Sequence, residues 1–345
     1  MYKILRFCDL TLVIIFLLSC SATRHDRKTQ EISHLKFPSQ YVVPYNMDFD
    51  KTTIGGLSGI DFDPQKKLYY KISDDRSDKN PVRFYTARIL ISKNKMDSVI
   101  FTGVTFLKDQ LGNFYPNSRQ DPYHTPDPEA LRFFPKNNTF FWSSEGERIV
   151  NYQRTVLEDP AVTEINAQGN YIDTFLLPNQ LIMHSTENGP RQNSVFEGVT
   201  FDNTDKNLFV SVEEPLYQDG PRAGTGDSTG IIRIIKFDIK SKRPVAQYAY
   251  RIDPVAFPPI TPDAFKINGI SDILWVGKNK LLVLERSYST GRLACTIKVF
   301  LASLSTAENI ENINSLKSYQ DLKIASKKLV FLALRPSDKN EKELN

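Results

Sequence analysis

The 345-residue chain is short of cysteine, of histidine and of any long apolar run, and each shortage closes off a class of protein. It has 3 cysteines and 4 histidines, with no paired C-x-x-C, no H-E-x-x-H, no P-loop and no dinucleotide fingerprint, which argues against zinc, nucleotide and redox chemistry. Its longest apolar run, Leu10 to Leu18, is too short to span a bilayer. Charge of one sign is also lacking. The 44 basic and 40 acidic residues leave a net charge of +4, too weak a bias to imply nucleic acid as a partner.

What is present at the N-terminus is an export signal. Lys3 and Arg6 precede the apolar run, as in the charged and hydrophobic regions of a secretory signal peptide over residues 1–19. Leu17-Leu18-Ser19-Cys20 follows and resembles a bacterial lipobox, which makes Cys20 the expected lipidation site; a plain secretory signal that ends in Cys is the alternative. Residues 20–37 are polar and basic and read as a tether, 38–335 as the folded domain and 336–345 as a charged tail. The expected location is the cell envelope, lipid-anchored to the membrane and facing the periplasm, since Ser21-Ala22-Thr23 brings no acidic cluster after the lipidated residue. Cys295 is then the only thiol left, so no intrachain disulfide forms and stability must come from a core.

The composition favours strands: 22 Phe, 15 Tyr and 20 Pro accompany many short β-branched runs, and only the stretch Thr306 to Lys323 reads as helical. One unit recurs four times. It consists of a polar residue, Gly or Ala, an aliphatic residue, a turn, and an apolar strand that ends in a carboxylate. The copies run from Ser58-Gly59-Ile60 to Asp74, Glu129-Ala130-Leu131 to Glu145, Glu197-Gly198-Val199 to Glu213, and Asn268-Gly269-Ile270 to Glu285. Their small residues lie 71, 68 and 71 positions apart. Four-stranded sheets repeated at a fixed period are the pattern of an all-β propeller, here expected to have five or six blades, with a sandwich or solenoid as the alternative.

The segments GGLSGIDFD with LYYKISDDR, DPEALRF with FWSSEGE, and GPRQNSVFEGVTFD with LFVSVEEPL resemble the phytase-like, esterase-like family of exported propellers from about Gly55 to Leu301. That resemblance implies a hydrolase of esters or phosphoesters. It also implies a further unit beginning near residue 339, where this sequence reads SDKNEKELN. The ring is therefore expected to be incomplete at its C-terminal end, with Lys327 to Leu334 a strand that has no following partner.

In a propeller, equivalent positions of successive blades meet around a central channel, so the repeat is expected to bring carboxylates together. Asp74, Glu129, Glu145, Glu213 and Glu285 are the expected metal ligands, and their hard oxygens suit calcium, or else magnesium. Arg191, Asn193, Glu197 and Arg76 are the expected catalytic residues, with an arginine holding a phosphate or carboxylate in two-pronged fashion. The competing reading for these groups is structural: blade-to-blade salt bridges, with Arg191 neutralising Glu197. His124, in a Tyr-His-Thr-Pro loop, reads as a surface residue. Gly226-Asp227-Ser228-Thr229-Gly230 matches G-x-S-x-G, but a glycine-rich loop precedes it, a strand follows it, and no histidine lies beyond it, so Ser228 is not expected to be a nucleophile. The two functions carried forward are a metal-assisted hydrolase of a small ester or phosphoester and a non-catalytic envelope binding module.

Overall fold

The computed structural model describes residues 32–317, 319 and 321–333, and the elements below belong to one unit that begins at His34. Strands β1 (Asp48–Phe49) and β2 (Thr52–Thr53) pair with each other ahead of blade one, which is β3 (Leu57–Asp63), β4 (Leu68–Ser73), β5 (Arg83–Ser92) and β6 (Lys95–Phe106). Blade two begins with β7 (Pro128–Phe134) and β8 (Thr139–Ser144). A ribbon of β9 (Glu147–Val150) and β10 (Thr155–Glu158) intervenes before β11 (Ala161–Asn166) and β12 (Tyr171–Thr174) complete the blade. Blade three is β13 (Phe196–Phe201), β14 (Asn207–Val212), β15 (Gly230–Asp238) and β16 (Arg243–Ile252). Blade four is β17 (Lys266–Gly277), β18 (Lys280–Ser289), β19 (Thr296–Ser303) and β20 (Ser326–Ala333). Every blade is an antiparallel meander with its first strand innermost, and β3 packs on β7, β7 on β13 and β13 on β17.

Among the described residues the blade count is four, not the five or six expected. Each copy of about seventy residues yields one complete sheet, because the outer strands that follow each hairpin fill the rest of the period. β20 pairs with the preceding strand β19 as the outer strand of blade four, and its Val330 carbonyl accepts a hydrogen bond from Leu35 N (2.8 Å). The segment that begins there continues to Ser39, whose hydroxyl accepts from Met96 N of blade one (2.7 Å). The N-terminal segment thus touches both the last and the first blade. Residue 339, near which a further unit was expected, lies outside the described residues.

Local sequence explains the hairpins. The turns of the four inner pairs place Lys67, Asn138, Asp205 and Asn279 at φ of 53–56°, the left-handed region that turn residues visit. Asp63 and Asp202 cap two of them by accepting backbone N–H bonds from Gln65 and Thr204. The core lies between blades. Tyr70, Ile72 and Phe84 of blade one meet Phe133, Phe140 and Trp142 of blade two; Phe134 and Phe141 of blade two meet Val199, Leu208 and Val210 of blade three; Ile232 and Ile234 of blade three meet Ile273, Leu281 and Val283 of blade four. Strand alternation sends successive residues to opposite faces, so Tyr85 and Ala87 face away from blade two, where Met47, Phe49 and Ile54 cover them.

The stretch expected to be helical, Thr306 to Lys323, contains no helix among its described residues. It runs along the outer edge of blade three, where Ile310 N donates to Gln247 O (2.9 Å) and Ala325 N to Ala249 O (2.9 Å). Ile310 and Leu316 are buried there. The free edge of β16 offers this segment backbone partners, and Asn309 adds its side chain by accepting from Gln247 N (2.9 Å).

Candidate functional site

The first residue of each of the first three repeats sits at an irregularity of its inner strand, whereas Asn268 of the fourth lies in regular register. The register slips between Leu57 and Ile60, Pro128 and Leu131, and Phe196 and Gly198, so Glu129 and Glu197 fall within β-bulges that re-aim their side chains. The Ser143 hydroxyl fills the interrupted ladder of blade two, accepting from Ala130 N (3.0 Å) and donating to Phe196 O of blade three (2.8 Å). Close approach matters at this point. A Cβ on Gly59 would lie 2.7 Å from Leu131 N, and one on Gly269 would lie 2.5 Å from Glu213 Cγ.

This construction gathers carboxylates from blades two and three. Asp127, Glu129 and Glu145 each place an oxygen within 4.8 Å of the others, and so do Glu145, Glu197 and Glu213. Glu145 belongs to both groups. One of its oxygens accepts from Val195 N, while Oε2 is buried without a partner. Glu129 accepts from the Ser58 hydroxyl (2.7 Å).

Burial is the largest cause of a raised pKa at each of these five carboxyls. Asp127 is pushed up to about 6, with Arg76 opposing and Glu147 adding to the shift. Glu213 is pushed up to about 8 by burial and Glu214, with Arg286 opposing. Glu129, Glu145 and Glu197 are held well above the usual carboxylate range by burial and then by mutual repulsion. Such a group stays ionised only with a cation, and otherwise shares protons.

The donor set fits a hard divalent ion. All ligands are carboxylate oxygens, one is buried and unpartnered, and two oxygens on opposite sides of a calcium ion stand about 4.8 Å apart. The residues that would hold it are Glu145, Glu197 and Glu213, or Glu145 with Asp127 and Glu129.

Two expected ligands lie elsewhere. Glu285 is fully buried inside blade four, where it accepts from Tyr250 Oη (2.8 Å), Asp253 N (2.9 Å), Asn268 Nδ2 (2.8 Å) and Lys327 Nζ (2.8 Å). The fourth repeat has Asn268 where the second and third have glutamate, so Glu285 is satisfied within its own blade. Asp74 lies against Gly56 in a pocket of blade one and influences Glu129 and Asp127 by charge alone, outside both ligand groups.

Of the expected catalytic residues, Glu197 joins the cluster and Asn193 lines a cleft beside it. Arg76 is committed to blade two through Glu147 (2.5 Å), Asp127 (3.8 Å) and Thr125 O (3.2 Å). Arg191 does not neutralise Glu197. It donates to Pro215 O (2.9 Å) and Gly220 O (3.0 Å) and stacks on Tyr217, with its guanidinium 4.2 Å from the ring centre. Ser228 lies in the loop before β15, where its carbonyl accepts from Gly224 N (2.9 Å), and a strand follows. Cys20 lies outside the described residues.

The cleft of about 340 Å³ is lined by Gln192, Asn193, Glu213, Arg222, Arg286 and Tyr288. Arg286 is exposed, has no hydrogen-bond or ion-pair partner among the described residues, and counteracts the raised pKa of Glu197 and Glu213. Arg222 pairs with Glu214 (3.0 Å) and also lines an adjoining pocket with Arg191, Lys266 and Lys317. Arg286 follows Glu285 in sequence, and strand alternation was the signal for its role: as Glu285 points into blade four, its neighbour points out toward the cluster.

Fold and site define a four-bladed propeller with a buried carboxylate cluster beneath an arginine-lined cleft. The chain belongs to the Phytase-like family, described by the esterase-like activity of phytase, whose profile matches residues 52–341. No curated protein matches it. Among solved structures it is similar to Kuenenia stuttgartiensis hydrazine synthase, with 12% identity over 71% of this chain and 50% of that one and a TM-score of 0.33. It is also similar to the Pseudomonas aeruginosa periplasmic gluconolactonase PpgL, with 12% identity over 75% and 71% and a TM-score of 0.35. A glucose dehydrogenase matches with 10% identity over 71% and 81% and a TM-score of 0.33. The chain spans half the length of the hydrazine synthase chain it matches, and none of these likenesses bears on activity. Among the described residues, no helix is long and apolar enough to cross a membrane.

Proposed function

We propose that the protein is a metal-assisted phosphoester hydrolase acting at the Arg286 cleft. The observation that carries this reading is the juxtaposition of Arg286, an exposed guanidinium without a side-chain partner among the described residues, with a carboxylate cluster whose central member, Glu145, keeps a buried oxygen unpartnered among them. The esterase-like activity by which the family is described supports hydrolysis. The basic rim of Arg191, Arg222, Lys266 and Lys317 favours a charged phosphoester over a neutral ester.

Arg286 binds two oxygens of the phosphate, as the planar guanidinium fork does. Arg222 adds positive charge at the cleft wall while Glu214 holds it in place. Asn193, which lines the same cleft, offers its amide to the ester's remaining oxygens, while Gln192 Nε2 is held by Glu147 (3.1 Å). A divalent ion held by Glu145, Glu197 and Glu213 would supply charge neutralisation and lower the pKa of a bound water. Asp127 and Glu129, the cluster carboxylates outside that set, are placed to hold a proton beside it.

The same reading extends to the chain's N-terminus: Cys20 is acylated and the domain is held at the membrane on its periplasmic side. Fatty-acid labelling of wild type and Cys20→Ala tests the anchor, and an unlabelled mature wild-type protein contradicts it. Hydrolysis is tested with aryl phosphate and aryl ester, each with calcium and with chelator. Phosphate release that chelator abolishes supports the proposal. No turnover by folded, calcium-loaded protein instead supports a binding module.

A further inference from the structure

Blade two borders a second pocket that shares no wall residue with the Arg286 cleft. The chain between blades one and two folds over β8, β10 and β11 and encloses about 660 Å³, walled by Phe114, Tyr115, Trp142, Tyr171 and Glu158. That volume lies within the range of small-molecule sites, which are mostly apolar with a few placed polar groups. No lysine or arginine lines it.

Two polar atoms of its walls have no partner among the described residues: Trp142 Nε1, on a side chain 2% exposed, and Glu158 Oε2. An unpaired buried donor or acceptor is costly and favours a ligand group that satisfies it. The pocket's other carboxylates are already engaged. Asp109 accepts from Leu111 N (2.9 Å) and Asn113 N (2.8 Å), Asp159 accepts from Met183 N (2.6 Å), and Asp121 pairs with the exposed His124 (2.8 Å). Burial pushes Glu158 up to about 8, against the pull of Arg76, so at neutral pH it presents a neutral acid rather than a charge. What remains unsatisfied is one N–H donor and one carboxyl group among four aromatic rings.

The absence of a cationic wall residue disfavours a phosphate, and a neutral acid disfavours an organic cation. A hydroxyl group donates one hydrogen bond and accepts two, so a compound rich in hydroxyls can answer both Trp142 and Glu158. Its C–H faces can pack on the rings. We propose that this pocket binds a saccharide, one or two sugar rings in size, independently of the Arg286 cleft.

The test is saturation-transfer NMR on the intact protein with glucose, galactose, N-acetylglucosamine and maltose, and with choline as the cationic comparison. At least one sugar should give saturable transfer with a Kd of about 1–10 mM, a weak-binding regime. Trp142→Phe keeps a ring and removes the donor, and should weaken binding about tenfold. Because Trp142 is a core residue, Glu158→Leu at a partly exposed position is the second variant, with the same expected loss of binding and a melting temperature at or above that of the wild type. Arg286→Ala should leave sugar binding intact. Transfer to choline alone, transfer to none of these compounds, or loss of sugar binding in Arg286→Ala would each overturn the proposal.

Discussion

Glu145 of blade two accepts a hydrogen bond from the Val195 N–H that opens blade three, and in doing so leaves its second oxygen buried and without a partner in the cluster. The bond locks the carboxylate at the seam of two blades, where it belongs to both groups of possible ligands. A carboxyl fixed in this way cannot turn to solvent to relieve its charge. It must hold a proton or share a cation, and the two alternatives make different demands on pH.

The cation-free protein is expected to lose stability as pH rises from about 5 to about 8. Burial pushes Glu213 and Glu158 up to about 8 and Asp127 up to about 6 in the folded protein, all above the ordinary carboxyl range. Between the unfolded and folded values the native state binds more protons than the unfolded one. The stabilisation is therefore complete below the unfolded pKa and is lost as pH rises through the folded one, at up to about 1.4 kcal/mol per pH unit for each group. Thermal melts from pH 5 to 8.5 should fall in chelator and recover with calcium, since an ion that binds only the native state stabilises it. A melting temperature that is flat with pH in chelator contradicts this.

Glu145→Gln and Glu285→Ala should behave oppositely. The first removes a buried charge without a dedicated cation, so the variant should melt at or above the wild type at pH 8 in chelator and show no calcium-induced rise. The second strips Lys327 of a buried partner and should cost about 3–5 kcal/mol while leaving the calcium-induced rise in place. Melts of both variants with and without calcium check the pair. A calcium rise that survives in Glu145→Gln places the ion elsewhere.

Arg286→Ala should weaken phosphoester binding by roughly tenfold to a hundredfold, the worth of about 1.5–3 kcal/mol for a hydrogen bond to a charged group. It should leave the melting temperature near that of the wild type, because Arg286 makes no hydrogen bond or ion pair among the described residues. Arg76→Ala should do the reverse, since Arg76 is tied to Glu147 and Asp127. Steady-state kinetics beside melting curves separate the two. Equal losses of stability in both would show that Arg286 is structural.

The repeat was legible in the sequence because each blade needs a small residue where inner strands touch, as at Gly59 and Gly269, and a carboxylate at the end of its second strand. Blade number was not, since the period alone does not say how many strands follow the hairpin. Glu129, Glu145, Glu197 and Glu213 converge as equivalent positions should. Glu285 does not, because its blade has Asn268 opposite it and Lys327 arriving from β20, a strand 42 residues further along the chain. Arg76 and Arg191 look like clamps by position, yet both are engaged by groups on neighbouring segments. The stretch from Thr306 to Lys323 has helical composition yet holds no helix among its described residues, because the open edge of β16 satisfies its backbone first.

The most direct test is calorimetric titration of calcium into chelator-treated protein at pH 7.5, in two buffers of different ionisation enthalpy. The account predicts saturable binding that releases protons, because carboxyls held protonated by burial must ionise to take the ion. It also predicts loss of that binding in Glu145→Gln and its retention in Arg286→Ala. Folded wild-type protein that takes up no calcium at millimolar concentration, or takes it up equally well in Glu145→Gln, would contradict it.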